Sequence, residues 1–255
     1  MRTAFVCPSW LLERVQPYSD YHLALTHKVI YDRRYCEFYK ERSKHGDYVM
    51  LDNSALEMHG RSVPMKDIAL ASFLTRPSLV FLPDYLFDGE RTIDELANAL
   101  RSSAARMMLR VIPGLKFGVV VQGLNEEEWL DSFEVLNDPR NSLGVLGIPM
   151  VTSNIFGSRV ECLKRIAKRV KKQCHLLGVR RGFPLSDVVA EAGFPFVQGV
   201  DTKKPVKLAL AGKTLEQWDE LEQDNEFLER PVREVDLKLL ERNCREFTKL
   251  CSGGC

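Results

Sequence analysis

The chain contains a series of short apolar runs, and each run ends at a polar residue or a glycine. Residues 49–51 lead into Asp52, for example, and the run that begins at Phe196 leads into Asp201. Strands that are buried on both faces have continuous apolar sequences, which is typical of a parallel sheet covered by helices. In such sheets the chemistry takes place at the carboxyl ends of the strands. The pattern therefore predicts an enzyme of the α/β class.

The apolar runs alternate with segments that begin like helices. Capping-box patterns start at Thr92, Asn125, Ser158 and Thr214, and a further helix is expected between Ser186 and Gly193. This alternation predicts βαβ units. The runs predict strands near residues 4–6, 48–51, 79–82, 118–121, 144–146, 175–177 and 196–200.

A closed barrel requires one strand more than these seven runs supply. The candidates for the eighth strand are residues 107–112 and 206–210. The length of 255 residues suits a TIM-like (β/α)8 barrel, which needs about 250 residues. An open doubly wound sheet is the competing architecture. We therefore expect a single domain over residues 1–255.

The C-terminal part of the chain predicts a helix that packs on the barrel. Its apolar residues recur at helical spacing, which gives a barrel core of about residues 1–225 and a helical extension of about residues 226–255. The residues that form this apolar stripe are Leu237, Leu240, Cys244, Phe247 and Cys251.

Composition limits the compartment and the partners. A net charge of +1 gives no bulk attraction for nucleic acid, so any basic site must be local. No apolar stretch approaches the roughly 20 residues of a membrane span, and the apolar part of the N-terminus is too short for a signal peptide. The seven cysteines have scattered spacings, which favours reduced thiols. We expect a cytoplasmic protein that does not bind membranes.

Four polar residues follow the predicted strands and are candidate site residues. Asp52, Asp84 and Asp201 could each be a nucleophile, a base, a metal ligand, a helix N-cap or the partner of a neighbouring lysine. Gln122 could contact a ligand or only form a turn. Taken singly, these residues leave the chemistry open.

Taken in order, the strand ends resemble a known family, the tRNA-guanine transglycosylases, and more closely their short DNA-acting relatives that insert 7-deazaguanine bases. The resemblance covers roughly residues 52–212. The segments that carry it are Asp52-Asn53-Ser54-Ala55-Leu56-Glu57, Gly118-Val119-Val120-Val121-Gln122-Gly123, Leu146-Gly147-Ile148, His175-Leu176-Leu177-Gly178-Val179 and Gly199-Val200-Asp201.

The resemblance implies a role for each matching residue. Asp201 would attack the sugar C1′ of a target guanosine and form a covalent glycosyl–enzyme intermediate, and Asp52 would move the proton that the departing base gains and the incoming base loses. No metal or redox cofactor is expected. The residues that would bind the base are Asp84, Gln122 and Gly147 at its edges, Leu56 and Leu177 on its faces, and Gly178 beside them.

Two departures from the family pattern favour its DNA-acting branch. The zinc pattern of the tRNA enzymes, Cys-x-Cys-x-x-Cys with a later histidine, is not found, so no zinc-binding insertion is expected. The chain also ends soon after the barrel. In addition, Ser54 and Ala55 replace a double glycine. The expected partners are DNA, or alternatively tRNA, and a 7-deazaguanine such as preQ0, with a homodimer or partner proteins possible. The DNA-acting branch is known from phages and bacteria, which implies the host cytoplasm for a viral protein.

Basic residues next to the predicted site are candidates for nucleic-acid contacts. Arg180, Arg181, Lys203 and Lys204 each follow a predicted site strand, where a sugar–phosphate backbone would pass. A helix over residues 158–172 carries six cations, which could contact phosphates or form an ordinary solvated face.

The sequence also leaves two histidines and three other functions open. His175 is expected to be an interior residue whose ring nitrogens are hydrogen-bonded, and His59 could act as an acid or base.

The first alternative function is the same chemistry on tRNA. The second is a metal-dependent TIM-barrel hydrolase or lyase with Asp52, Asp84 and Asp201 as ligands. The third is a catalytically silent barrel that acts as an accessory subunit.

Overall fold

The apolar runs form the strands of one parallel sheet. The computed structural model describes residues 1–58, 63–179, 184–221, 227–229 and 235–253. All neighbouring strands pair in parallel. Within the described residues the strands are β1 (Arg2–Phe5), β2 (Tyr21–Leu25), β3 (Tyr48–Asp52), β4 (Leu79–Phe81), β5 (Lys116–Val120), β6 (Leu143–Pro149), β7 (Gln173–Leu177) and β8 (Val197–Thr202).

The sheet curls into a nearly closed barrel. The hydrogen-bonded order is β1-β8-β7-β6-β5-β4-β3-β2, and the two end strands, β1 and β2, lie side by side. Because every strand is parallel, all the carboxyl ends face the same rim. The register sets Ala4 of β1 beside Asp201 of β8 and Leu25 of β2 beside Asp52 of β3. The expected TIM-like (β/α)8 barrel is therefore confirmed, and the open sheet is excluded.

The expected position of the eighth strand was wrong. The eighth strand is β2, whose five residues are all buried. Residues 107–111 lie instead in the helix Ser103–Val111, which Ser102 caps by accepting a hydrogen bond from the Ala105 N–H. Residues 206–210 lie in the helix Lys204–Leu210, where Pro205 occupies the first turn. Both segments have apolar residues, but the Ser102 cap favours a helix in the first and Pro205 in the first turn favours a helix in the second.

Helices surround the barrel and the last one covers its side. In the described residues they are α1 (Leu12–Val15), α2 (Thr26–Tyr31), α3 (Arg33–Lys44), α4 (Met65–Thr75), α5 (Gly89–Arg101), α6 (Ser103–Val111), α7 (Glu126–Leu136), α8 (Thr152–Phe156), α9 (Arg159–Ile166), α10 (Leu185–Ala192), α11 (Lys204–Leu210) and α12 (Leu237–Cys251). None of these helices is long and apolar enough to cross a membrane.

The predicted helix starts were only partly right. Asn125 and Ser158 cap α7 and α9, and Thr214 forms a full capping box on a 3₁₀ helix. Thr92 is not a cap, because Asp88 takes that position and Thr92 is buried in α5, where its hydroxyl donates to the Tyr85 carbonyl. Ser186 likewise lies inside α10, which begins after Pro184 and ends at Gly193.

The core has two layers, one inside the barrel and one between the sheet and the helices. The inner layer depends on glycines, because large side chains cross the barrel against them. A Cβ on Gly199 would lie 2.4 Å from Cε1 of Tyr21, and one on Gly147 would lie 2.8 Å from Cδ1 of Leu177. In the outer layer α12 buries Phe247 against Trp218 with stacked rings, as the predicted C-terminal helix requires. The boundary near residue 225 falls outside the described residues.

The cysteines of the described chain are free thiols, as the sequence predicts for a reduced protein. Cys244 and Cys251 are fully buried on the apolar face of α12, and burial raises the pKa of Cys244 to about 12 and of Cys251 to about 11. Their sulfur atoms therefore serve the packing of this helix.

Candidate active site

The rim formed by the carboxyl ends of the strands gathers the predicted polar residues. Asp52 ends β3, Asp84 follows β4, Gln122 follows β5 and Asp201 lies one residue before the end of β8. Asp84, Gln122 and Asp201 are buried. The charges of Asp84 and Asp201 both act on Asp52, so the three carboxylates share one site.

Asp201 is held by one of its two carboxylate oxygens. The Gly178 N–H donates to Oδ1 over 3.0 Å, and His175 Nε2 lies 3.2 Å from the same atom. Both hydrogen-bond partners of Asp201 in the described chain thus contact Oδ1. Oδ2 is the oxygen that remains for a bond to a substrate.

The turn after β7 is shaped so that its N–H reaches Asp201. Gly178 has φ of +74°, a left-handed conformation that other residues adopt at a cost. The guanidinium of Arg159 donates to the Leu177 carbonyl over 3.2 Å and to the Gly178 carbonyl over 2.9 Å. Arg159 is itself fully buried in a bidentate pair with Glu191. This buried pair fixes the turn that carries the Gly178 N–H.

Asp84 is held at both oxygens by carboxamides. Asn53 Nδ2 donates to Oδ1 over 2.6 Å, and Gln122 Nε2 donates to Oδ2 over 2.5 Å. Asn53 also donates to the Leu82 carbonyl, and Gln122 Oε1 accepts from the Phe87 N–H. A carboxylate oxygen can accept more than one hydrogen bond, so this network leaves Asp84 able to accept from a ligand.

Asp52 is in an environment that favours its protonated form. Burial raises its pKa well above the ordinary value, and the nearby carboxylates of Glu57, Asp84 and Asp201 raise it further. A hydrogen bond of 2.7 Å from the Ser54 N–H opposes this shift. A carboxyl group with a raised pKa keeps its proton to a higher pH than an ordinary aspartate, so it can act as a proton donor.

The loop after Asp52 has a backbone conformation that is typical of glycine, although the residue there is a serine. Ser54 has φ of +58° and is fully buried, although a side chain at such a φ is strained. The Ser54 hydroxyl accepts a hydrogen bond of 3.4 Å from the His27 N–H. Ser54 therefore holds a backbone conformation that glycine would adopt without strain.

The residues expected to contact the base differ in how deeply they are buried. Leu56 is 71% exposed at the rim. Leu177 is partly buried and packs on the inner layer of the barrel. Gly147 lies inside β6, where its carbonyl accepts from the Val121 N–H, so its main role in this structure is to make room for Leu177. Gly178 is the residue of the set that contacts Asp201 directly.

The predicted cations differ in accessibility. Lys203 is partly exposed and forms an ion pair of 3.4 Å with Glu57. Lys204 is buried, and its ammonium group lies 4.1 Å from the centre of the Trp218 ring, so this cation is not presented at the surface. Burial lowers the pKa of Lys204 to about 8. Arg180, Arg181 and His59 lie outside the described residues.

The helix in the basic segment is shorter than expected, and several cations of this segment form ion pairs with carboxylates. Lys164 pairs with Glu161, Arg165 with Glu126 and Arg169 with Glu134. These pairs fit the interpretation of a solvated outer face.

A short segment, residues 227–229, contacts both the barrel and α2. Leu228 packs on the inner layer of the core. Lys28 of α2 binds this segment through an ion pair of 2.6 Å with Glu229 and a hydrogen bond of 3.5 Å to the Leu228 carbonyl. The segment is therefore attached to the helix that directly follows β2.

The second alternative function would require ligands for a metal ion. Among the described residues, no group of three or more His, Cys, Asp and Glu side chains is arranged to hold one. Asp52, Asp84 and Asp201 share the site without forming such a group.

Sequence reasoning missed Asn53, Arg159 and the contact between His175 and Asp201. Asn53 lies directly beside Asp52, so its position after β3 was a usable signal. Arg159 lies in the predicted basic helix but was not singled out, because no local pattern distinguishes it from exposed cations.

Comparison with known proteins identifies the fold. No protein-family model and no curated protein matches the chain. Similar solved structures include the GH53 catalytic domain from Ignisphaera aggregans, with 9% identity and a TM-score of 0.55 over 81% of this chain and 85% of that chain. Tryptophan synthase from M. tuberculosis has 12% identity and a TM-score of 0.53 over 99% and 90% of the two chains. A protein from Coccidioides immitis proposed to be a fructose-1,6-biphosphate aldolase has 11% identity and a TM-score of 0.52 over 98% and 86%. At these identities the likeness shows the barrel fold alone.

Proposed function

We propose that the protein is a base-exchange transglycosylase that replaces guanine in DNA with a 7-deazaguanine such as preQ0. The observation that carries this proposal is the contrast between two carboxylates on one rim. Asp201 is hydrogen-bonded at Oδ1 alone, and the pKa of Asp52 is raised well above its ordinary value by burial and by its neighbours. A nucleophile and a proton donor are the two groups that base exchange requires.

The reaction proceeds in two displacements at C1′ of the target nucleotide. Asp201 Oδ2 forms a bond to C1′ while the bond from C1′ to N9 of guanine breaks, and the released electron pair is neutralised by the proton of Asp52. The incoming 7-deazaguanine then gives its N9 proton to Asp52. Its nitrogen displaces Asp201 from C1′. Each half balances in charge and protons, as in retaining glycosidases.

The other rim residues would recognise the base. Asp84 accepts hydrogen bonds from the ring N–H and the amino group, and Asn53 and Gln122 hold its carboxylate in place. Leu56 is exposed at the rim and Leu177 is partly buried beneath it, so the two can contact opposite faces of a ring. Lys203, with Arg180 and Arg181, would contact the sugar–phosphate backbone.

DNA is proposed as the substrate because of the resemblance to the short DNA-acting branch. A duplex substrate would have to present the target nucleotide flipped out of its stack.

The test is nucleoside mass spectrometry after incubation of the purified protein with preQ0 and with guanine-containing DNA or tRNA in separate reactions. We expect the modified nucleoside in DNA, and no product with Asp201→Asn. Product in tRNA alone would assign the protein to the RNA-acting branch. Release of guanine without incorporation of preQ0 would indicate a hydrolase that uses the same carboxylates. No reaction with either nucleic acid would contradict the proposal.

A further inference from the structure

Three buried side chains form a hydrogen-bonded chain through the barrel to the proposed nucleophile. Tyr21 lies at the start of β2, His175 in the middle of β7 and Asp201 near the end of β8. The Tyr21 hydroxyl is 2.8 Å from His175 Nδ1, and His175 Nε2 is 3.2 Å from Asp201 Oδ1. The proposed function uses only the last of the three, so the other two require an explanation.

The hydrogen bonds of this chain define the tautomer of His175. Burial raises the pKa of Tyr21 well above its ordinary value, so its hydroxyl keeps its proton and can donate to Nδ1. An imidazole that accepts at Nδ1 carries its proton on Nε2. Nε2 then donates to Asp201, which must be ionised in order to attack a sugar carbon.

The same oxygen of Asp201 receives a second donor. The Gly178 N–H and the His175 ring both contact Oδ1, and two donors on one oxygen fix the plane of the carboxylate. We propose that His175 is a positioning residue that turns Oδ2 of Asp201 toward the substrate, and that Tyr21 holds His175 in the tautomer this requires. The inference rests on the proposed function, because it takes Asp201 as the nucleophile.

The packing of the barrel supports a fixed geometry for this chain. The Tyr21 ring fills the space beside Gly199, where a Cβ would lie 2.4 Å from its Cε1. The His175 ring is fully buried between Tyr21 and Phe81, with ring centres 5.6 Å and 6.1 Å away. Both rings therefore belong to the packed inner layer, where the hydrogen bond between them joins two fully buried groups.

Two isosteric variants separate positioning from packing. Tyr21→Phe removes the hydroxyl that contacts His175. Tyr48→Phe removes a hydroxyl from the ring that stacks on Tyr21, at 5.4 Å between ring centres, and leaves the bond to His175 intact. His175→Gln replaces the Nε2–H donor with an amide N–H. Glutamine has no ring tautomers, so Tyr21 has none to select in this variant.

The experiment has one readout with substrate and one without. Single-turnover reactions with guanine-containing DNA measure the rate at which the covalent protein–DNA intermediate forms. Nitrogen-15 NMR of the protein labelled at its five histidines reports which ring nitrogen of His175 carries the proton, with the His175→Gln spectrum as the assignment. Thermal unfolding of each variant shows whether it is folded.

We expect Tyr21→Phe to slow formation of the intermediate by up to about 100-fold, the cost of a misplaced reacting group. The KM for DNA should stay unchanged, and the Nδ1 resonance of His175 should shift, because this nitrogen loses the hydroxyl that contacts it. Tyr48→Phe should alter neither readout. In the His175→Gln background Tyr21→Phe should cost much less, because the effects of coupled residues are not additive.

Two results would overturn the inference. One is an unchanged rate and an unchanged His175 spectrum in folded Tyr21→Phe, with wild-type protein active. The other is a proton on Nδ1 of His175 in the wild-type protein. Failure of the wild-type protein to form any covalent intermediate would instead contradict the proposed function, and the NMR result would still decide the state of His175.

Discussion

The rim of the barrel has two halves, and the aspartates in these halves differ in their hydrogen bonds and in their surroundings. Around β7 and β8, Asp201 receives two donors on one oxygen. Around β3 to β5, Asp84 receives one carboxamide on each oxygen. In this second half Asp52 has a raised pKa, because it is buried and surrounded by other carboxylates.

The proposed reaction requires an ionised nucleophile and a protonated carboxyl group on one rim. Donors aimed at a carboxylate favour its charged form, whereas burial and neighbouring negative charges favour the protonated form. A pair of carboxyl groups with opposed environments is the usual basis for separate nucleophile and acid roles. The comparison therefore predicts distinct consequences for equivalent substitutions in the two halves.

The largest effect is expected at Asp201. Replacement by Asn retains an oxygen that accepts from Gly178 and His175 but removes the nucleophile, so base exchange should fall by at least about 1,000-fold. Thermal unfolding should change little. Nucleoside mass spectrometry and the thermal melt together check this, and an active Asp201→Asn protein would move the nucleophile elsewhere.

The next largest effect is expected at the buried pair of Arg159 and Glu191, which supports the half of the rim around β7 and β8. Arg159→Met leaves Glu191 buried without its partner and should lower the free energy of unfolding by about 3–5 kcal/mol. Denaturant unfolding measures this loss. The double variant Arg159→Met with Glu191→Leu should recover much of the stability while intermediate formation stays slow, since the Gly178 carbonyl is no longer held. Full recovery of the rate would show that Arg159 has no part in positioning.

In the other half, Asp84→Asn should destabilise the protein where Asp201→Asn does not. The new amide would set a second NH₂ group against Asn53 or Gln122, and a flip of Gln122 would break its bond from the Phe87 N–H. We expect a loss of about 1–3 kcal/mol, the cost of an unsatisfied buried donor. Equal stability of Asp84→Asn and Asp201→Asn in denaturant would remove the distinction between the two halves.

Most of the sheet could be predicted from the sequence because buried parallel strands have continuous apolar runs. β2 escaped prediction because His22 interrupts its apolar residues, although His22 is buried there and lies 3.0 Å from Asp47. Strand-end carboxylates could also be predicted, since a run fixes where its strand ends.

The contacts that give these carboxylates their character could not be predicted. Tyr21 and His175 are 154 positions apart, and only closure of the barrel brings them together. Arg159 and Glu191 are 32 positions apart on neighbouring helices, and nothing local marks either as buried. Local sequence therefore determines which residues lie at the rim, whereas long-range packing determines the hydrogen-bond partners and charged neighbours of those residues.

A change of stability with pH is expected at Asp52. In the unfolded chain this carboxyl group ionises near its ordinary pKa of about 3.9, whereas in the folded protein its pKa is raised. Between these two values the folded state binds the extra proton, so the stability of the wild-type protein falls as the pH rises, by up to about 1.4 kcal/mol per pH unit. Asp52→Asn cannot ionise and loses this dependence.

We therefore expect Asp52→Asn to be inactive in base exchange but more stable than wild type, with an advantage that grows as the pH rises above about 4 and vanishes below it. Thermal unfolding across this range measures the difference. Asp131→Asn, at an exposed position on α7, controls for the loss of one negative charge. Parallel stability curves for Asp52→Asn and wild type would mean that Asp52 is ionised in the folded protein. In that case Asp52 could not protonate the departing guanine, and both halves of the rim would hold charged carboxylates.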